Sequence, residues 1–229
     1  MSTPREQLEA DRHRLAHEVP RLRVAARKHR TLSGRVKRLR SRIKRRRGTI
    51  MDMNRPIGTR ALSAAATQLG KTETSGPNDA PWLRAMEADL VRAGSSLSWM
   101  IPDNPYCGMG VLWSWLKAGI RFPDNWVGTT NILSAAGQTF SERNGRKFKL
   151  VRVAPEQAKP GAIVVFDFVP GTGADHTGLA RGALRSGEMP TREFNTSPSN
   201  SGSQANGGGV FDRTRPRSLI LGVLNVVPA

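Results

Sequence analysis

The chain has 229 residues, a single cysteine and a formal net charge of +18 from 36 Lys and Arg against 18 Asp and Glu. One cysteine excludes both an internal disulfide framework and a thiolate-rich structural zinc site. No run approaches eighteen consecutive apolar residues and the N-terminus lacks an apolar signal region, so we expect neither a membrane span nor a secretory signal peptide.

The first predicted element is a basic helical arm over residues 1–50, which carries 17 Lys and Arg against 4 Asp and Glu. Residues 3–6 read TPRE, which has the form of a capping box that begins a helix. Leu, Val and Ile then recur at spacings of three, four and seven over residues 8–43, which is typical of a coiled-coil-like apolar seam. We expect Pro20 to interrupt or kink this helix and the basic run 44–48 to end it.

Several functions remain open for the arm. It is either a solvated helix or an electrostatic anchor to a polyanion such as nucleic acid, an anionic wall polymer or an anionic membrane surface. The seam over residues 8–43 also predicts self-association or docking onto a virion. The arm contains no Phe, Trp or Tyr, so it cannot stack nucleic-acid bases.

A linker is predicted over residues 51–60 and a folded domain over 61–229. Helices are predicted over 61–69 and 82–93 and after residue 103. Short β-type runs follow at 162–169, 176–184, 191–197, 209–215 and 218–227. Helices first and closely spaced strands afterwards predict an α+β fold, in which N-terminal helices pack on an antiparallel sheet.

The cysteine lies in the segment NPYCGMGVLWSW, residues 104–115. We expect Asp103, Asn104 and Pro105 to cap a helix whose first turn contains Cys107. Unpaired N–H groups and the positive end of the helix dipole favour a thiolate there. From position alone, a nucleophile and a buried structural cysteine are equally well supported.

The histidines favour the nucleophile. His176 is the single histidine outside the arm, and the segment GADHTGLA places it at the start of a strand. A cysteine at a helix N-terminus and a nearby histidine are the two parts that cysteine acyl transfer requires. The histidine also needs an orienting group, and alternation along a strand puts Glu193 and Asn195 on one face as candidates.

Three segments resemble the CHAP family of cysteine- and histidine-dependent amidohydrolases/peptidases. NPYCGMGVLWSWLKAGI is similar to the family's nucleophile helix, KPGAIVVFDFVPGTGADHTGLA to its strand and His-x-Gly segment, and EFNTSPSNSGSQANGGGVFDRTR to its Glu-x-Asn strand with the following loop and strand. The resemblance covers residues 56–229 and is closest to the cell-wall lysins of phages that infect actinobacteria.

The resemblance implies a papain-like fold and hydrolysis of a peptidoglycan amide, either as an N-acetylmuramoyl-L-alanine amidase or as an endopeptidase. It implies Cys107 as the nucleophile, His176 as the general base, and Glu193 or Asn195 as the orienting group. Ala162 departs from the pattern, since Asp is frequent there, and so do Met109 and Gly110, where a small and then an aromatic residue are usual. The Asp-x-Asp calcium loop of some members is absent, so we expect no metal and no cofactor.

Candidate substrate-binding residues surround the cysteine. The backbone N–H of Cys107 is expected to stabilise the oxyanion, with Tyr106 or Asn104 as the second donor. Trp113 and Trp126 are candidates to line the cleft, although packing in the core is the more common role of such residues.

Without a signal peptide, the expected route is that of a phage endolysin, made in the host cytoplasm and released to the cell wall through a membrane pore. A virion-associated lysin is the second possibility. The competing hypothesis is a catalytically inactive papain-like scaffold whose basic arm serves a virion structural or nucleic-acid-binding protein.

Overall fold

The computed structural model describes residues 4–53, 55–169, 171–199 and 202–229. The chain divides into two units, Met1–Asn54 and Arg55–Ala229. In the described parts of the chain, no helix has the length and apolar character needed to cross a bilayer.

The first unit is one continuous helix, α1 (Pro4–Met53). Pro20 lies inside α1, so of the two expectations an interruption is wrong and a kink stays a prediction; the basic run 44–48 remains helical, so the expected end there is wrong. Proline removes one backbone hydrogen bond, but Arg and Lys are strong helix formers that extend the helix on either side. The predicted capping residue Thr3 lies outside the described residues.

The apolar side chains that the structure describes on α1 are exposed to solvent. They belong to Leu15, Val19, Val24, Leu32, Val36, Leu39 and Ile43. The first unit therefore offers an aliphatic surface on a strongly cationic helix.

The second unit begins ahead of the predicted boundary at residue 61. Helix α1 runs to Met53 and α2 starts at Ile57, so little of the predicted linker 51–60 is irregular. Ile57 is buried in the core, and a Cβ at Gly58 would lie 2.1 Å from the carbonyl oxygen of Pro160. Close packing of this segment against the domain is why the linker prediction is wrong.

Three α-helices precede the sheet in the described part of this unit: α2 (Ile57–Ala66), α3 (Pro81–Arg92) and α4 (Cys107–Ala118). Helix α4 is buried along its length except at Lys117, and it packs against α2, α3 and two strands of the sheet. It ends at Gly119, whose φ of 107° is in the left-handed region that glycine adopts readily.

The strands form one antiparallel sheet, with seven strands in the described residues and the order β1-β2-β7-β3-β4-β5-β6. They are β1 (Thr139–Ser141), β2 (Lys147–Val153), β3 (Ile163–Phe166), β4 (His176–Ala180), β5 (Glu188–Thr196), β6 (Gly209–Pro216) and β7 (Ile220–Pro228). The predicted α+β class with an antiparallel sheet is confirmed. Strands β1 and β2 were not predicted.

Two glycines allow α4 to approach its neighbours closely. A Cβ at Gly110 would lie 2.1 Å from the Phe194 ring of β5, and one at Gly108 would lie 2.5 Å from the carbonyl oxygen of Val127. Glycine inside a helix costs about 1 kcal/mol relative to alanine. This cost is offset because the absence of a side chain at each glycine lets α4 contact Phe194 of the sheet and the backbone of Val127.

We predict that Gly110→Ala destabilises the domain, because the added methyl group overlaps the Phe194 ring. Overpacking of this kind costs about 1–3 kcal/mol, measured by denaturant unfolding. Gly182→Ala is the matched control, since its nearest neighbour would be 3.7 Å away. Equal stability of the two variants would contradict the close-packing argument.

Candidate active site

Cys107 is the first residue of α4, so its predicted place in the first turn is confirmed. The predicted cap is wrong, because the N-cap position is Tyr106 and no side chain caps the helix. Asn104 lies too far before the helix to cap it, and its amide instead donates to the carbonyls of Trp99 and Met100, each at 3.4 Å. The N–H groups of the first helical turn have no partner within the helix.

His176 begins β4, as predicted, and is completely buried. Its Nε2 lies 3.2 Å from Oε2 of Glu193 on the neighbouring strand β5. This is an ion-pair distance, but the ring N–H is not aligned as in a full hydrogen bond. The other ring nitrogen, Nδ1, is buried and makes no hydrogen bond of full geometry.

Gly178 makes room for the His176–Glu193 contact. It stands opposite Glu193 in the β4–β5 register, and a Cβ there would lie 2.7 Å from Cγ of Glu193. A side chain at this position would occupy the space that the glutamate uses. The glycine two residues after the histidine therefore has a packing role in the site.

Glu193 is fully buried and held by three hydrogen bonds. Oε1 accepts from Thr191 Oγ1 at 2.6 Å and from Arg215 Nε at 2.9 Å, and Oε2 accepts from Arg215 Nη2 at 2.5 Å. Burial alone raises the pKa of Glu193, but the hydrogen bonds and charges of Arg215 and His176 outweigh it and lower this pKa to about 2. The carboxyl group is therefore ionised at pH values well above 2.

The pKa of His176 moves the opposite way. Burial alone lowers it, but interactions with Cys107 and Glu193 outweigh burial and raise the pKa to about 9. The imidazole thus lies between two groups that favour its protonated form, and one of them is the sulfur. An imidazolium beside the sulfur is the arrangement that a cysteine nucleophile requires.

Asn195 does not orient His176. It has a φ of 59° in an irregular step of the β5–β6 ladder, so the regular alternation predicted to place it beside Glu193 is broken. Its Nδ2 donates to Asn206 at 2.9 Å and its Oδ1 accepts from the N–H of Gly208 at 3.4 Å. The Asn195 side chain therefore anchors the loop before β6, and Glu193 is the candidate that contacts the histidine.

Cys107 is only 3% exposed, and it lines a cleft of about 280 Å³ together with Asn104, Thr129 and Asp175. Trp99 lines the same cleft with 56% of its surface exposed. Sequence analysis did not identify Trp99, although a tryptophan in a polar loop shortly before the cysteine helix is a recognisable signal.

Three of the four predicted substrate-binding side chains lie elsewhere. Trp113 is buried and donates from Nε1 to Asp89 at 3.0 Å, while Trp126 is buried and stacks on Phe122 at 4.5 Å. Both tryptophans belong to the core, so their predicted place in the cleft is wrong.

Tyr106 is also fully buried, with its ring packed edge-on against Trp82 at 5.7 Å. Burial and the nearby Glu73 raise the pKa of Tyr106, so its hydroxyl stays neutral. Its side chain does not line the cleft, which leaves Asn104 as the predicted donor that does.

Within the described residues, no cluster of three or more His, Cys, Asp or Glu side chains could hold a metal ion. Arg215 was missed by sequence analysis, because its position beside Glu193 depends on the register of β5 and β6.

No family model matches the chain, and no curated protein matches it. Among solved structures, the chain is similar to the crystal structure of Ly7917 with the hydrolyzing product of MDP, with a TM-score of 0.33 and 14% sequence identity. The match covers 75% of this chain and 62% of the Ly7917 chain.

We predict that Gly178→Ala lowers the pKa of His176 from about 9. The added methyl group displaces Glu193 and weakens a charge-assisted contact, which corresponds to roughly one pKa unit. Titration of the imidazole by NMR measures the shift. Gly182→Ala should leave the pKa unchanged, and an equal shift in both variants would contradict the role of Gly178.

We also predict a loss of stability in acid from Glu193. Its folded pKa of about 2 lies below the ordinary value of 4.5, so its contribution is present above pH 4.5 and disappears as the pH falls toward 2. The contribution is about 3 kcal/mol. Denaturant unfolding from about pH 6 to about pH 2.5 should show this slope in the wild type, but much less of it in Glu193→Gln.

The matched control for this slope is Glu188→Gln, which removes an exposed carboxylate from the same strand. Its acid profile should follow that of the wild type. A wild-type slope in Glu193→Gln would show that other carboxylates cause the loss.

Proposed function

We propose that the second unit is a peptidoglycan hydrolase in which Cys107 attacks an amide carbonyl of the wall peptide, as an N-acetylmuramoyl-L-alanine amidase or an endopeptidase. The observation that carries the proposal is the sole cysteine, which begins a buried helix, lines a cleft and interacts with His176, whose ring in turn faces Glu193. The resemblance of three segments to the CHAP family supports a papain-like fold and this substrate class.

Acylation begins from the thiolate–imidazolium pair. The thiolate of Cys107 adds to the amide carbonyl, and the negative oxygen that forms accepts a hydrogen bond from the backbone N–H of Cys107. The Asn104 amide lines the same cleft and supplies the second donor. As the C–N bond breaks, the imidazolium of His176 gives its proton to the leaving amine, and a thioester remains.

Deacylation reverses these roles. Neutral His176 takes a proton from water, and the hydroxide that forms attacks the thioester carbonyl. The C–S bond breaks, the carboxylic acid product leaves, and the thiolate–imidazolium pair is restored. Throughout the cycle Glu193 remains ionised and stabilises the protonated ring.

We also propose that α1 holds the enzyme to an anionic wall polymer. Residues 1–50 contain 17 Lys and Arg but 4 Asp and Glu, so the cations of the arm far outnumber its carboxylates. The described Leu, Val and Ile side chains of the same helix are exposed. Attraction of this kind needs no specific contact and weakens as salt is added.

The decisive test is a zymogram on actinobacterial cell walls. The wild type should clear the walls and Cys107→Ala should not, because the thiolate is the nucleophile. Mass spectrometry of the released fragments then distinguishes the amidase from the endopeptidase. Ser114→Ala is the matched control, since it removes a buried side-chain oxygen from the same helix without touching the cleft.

Equal clearing by the wild type and Cys107→Ala would exclude the nucleophile. No clearing by either protein, together with salt-sensitive binding to nucleic acid, would favour the inactive scaffold.

A further inference from the structure

Arg215 on β6 touches neither the cysteine nor the cleft, yet its guanidinium is bound to the carboxylate that faces His176. We propose that Arg215 is a positioning residue for the Cys107–His176 pair, which it controls by fixing Glu193 against the imidazole. Its catalytic consequence rests on the proposed hydrolase function, whereas its effect on the cysteine does not.

The geometry of the contact restricts the carboxylate plane. Nε of Arg215 binds Oε1 of Glu193 and Nη2 binds Oε2, so the planar fork meets both oxygens. A bidentate pair of this kind fixes orientation as well as charge. With Oε1 also bound by Thr191, Oε2 is held on the side of His176.

Arg215 is itself immobilised. It is 3% exposed, its Nη1 donates to Gln204 at 2.8 Å, and its Nη2 also donates to Thr196 at 3.0 Å. Its guanidinium lies 4.6 Å from the centre of the Phe168 ring, and that ring lies 5.2 Å from the ring of His176. One aromatic side chain therefore packs against both the arginine and the histidine.

Arg215 affects the protonation of His176 through the charged groups around the ring. Cys107 of α4 and Glu193 of β5 interact directly with His176. Arg215 of β6 lies against the Phe168 ring, which also contacts the histidine, and Asp175 precedes that histidine in the chain. Glu193 is fully buried, and burial without a counter-ion favours a neutral carboxyl group. If Arg215 is removed, Glu193 takes up a proton or turns away, and His176 loses its anion in both cases.

Removal of Arg215 is expected to change the reactivity of Cys107 through the charge of the His176 ring. A histidine without its anion gives up its proton at lower pH, and the thiolate then loses its cationic partner. Without that partner the thiolate forms only at higher pH, so the pH at which alkylation of Cys107 sets in should move upward.

The same two strands provide a matched control. Arg192 forms a similar bidentate pair with Asp212, at 2.7 Å and 2.9 Å. Arg192 and Asp212 are adjacent in register to Glu193 and Phe211, so they lie on the opposite face of the sheet. Arg192→Met removes the same kind of interaction from β5 and β6 without facing His176.

The test measures alkylation of Cys107 by iodoacetamide as a function of pH in the full chain. The label is specific, because the sequence contains one cysteine. In Arg215→Met, the limb on which alkylation rises with pH should move upward by about one to two pH units, the size expected for a lost charge-assisted hydrogen bond. Glu193→Gln should shift the limb in the same direction, and Arg192→Met should leave it at the wild-type position.

The double variant of Arg215→Met and Glu193→Gln decides whether the arginine acts through the carboxylate. Its profile should match that of Glu193→Gln alone, because nothing remains for Arg215 to position. A uniform loss of reactivity at every pH, or shifts that add in the double variant, would overturn the proposal.

Arg215→Lys covers the case in which Arg215→Met does not fold. It keeps the cation but loses the fork, so we expect a smaller shift of the limb in the same direction. A limb that coincides with the wild type would overturn the role of the fork. If the alkylation pattern holds but the wild type does not clear cell walls, the hydrolase proposal fails and the positioning role stands.

Discussion

The site depends on a carboxylate that stays ionised without access to water. Glu193 is fully buried, which opposes its charge, and the Arg215 fork together with His176 overcomes that opposition. The fixed negative charge then favours a protonated His176, whose ring also interacts with Cys107. A chain of three buried interactions therefore links β6 to the start of α4.

These interactions require α4 and the sheet to lie close together. Gly110 brings α4 against Phe194, and Gly178 leaves space for the Glu193 side chain between two strands. Each glycine gives up side-chain packing, and at the α4 position it also lowers helix propensity. The resulting close approach lets Cys107 of α4 interact with His176 of the sheet.

Much of this arrangement was predictable from local patterns. The cysteine helix and the strand that begins at His176 were both predicted, although the residues expected to cap that helix do not cap it. Strand β2, KFKLVRV, was missed although its charged and apolar residues alternate with the period of a half-buried strand. The continuity of α1 through Pro20 was also missed, because local helix-breaking signals were given too much weight.

By itself, the sequence determined which chemistry is available: one cysteine, one histidine outside the arm, and a strand with two candidate orienting groups. Tertiary structure decided between those groups, because the irregular step at Asn195 turns its side chain toward the loop and leaves Glu193 facing the histidine. It also added Arg215, whose place beside Glu193 depends on strand register. Period-two patterns specify the faces of a strand, whereas the pairing of faces between strands depends on the packing of the whole sheet.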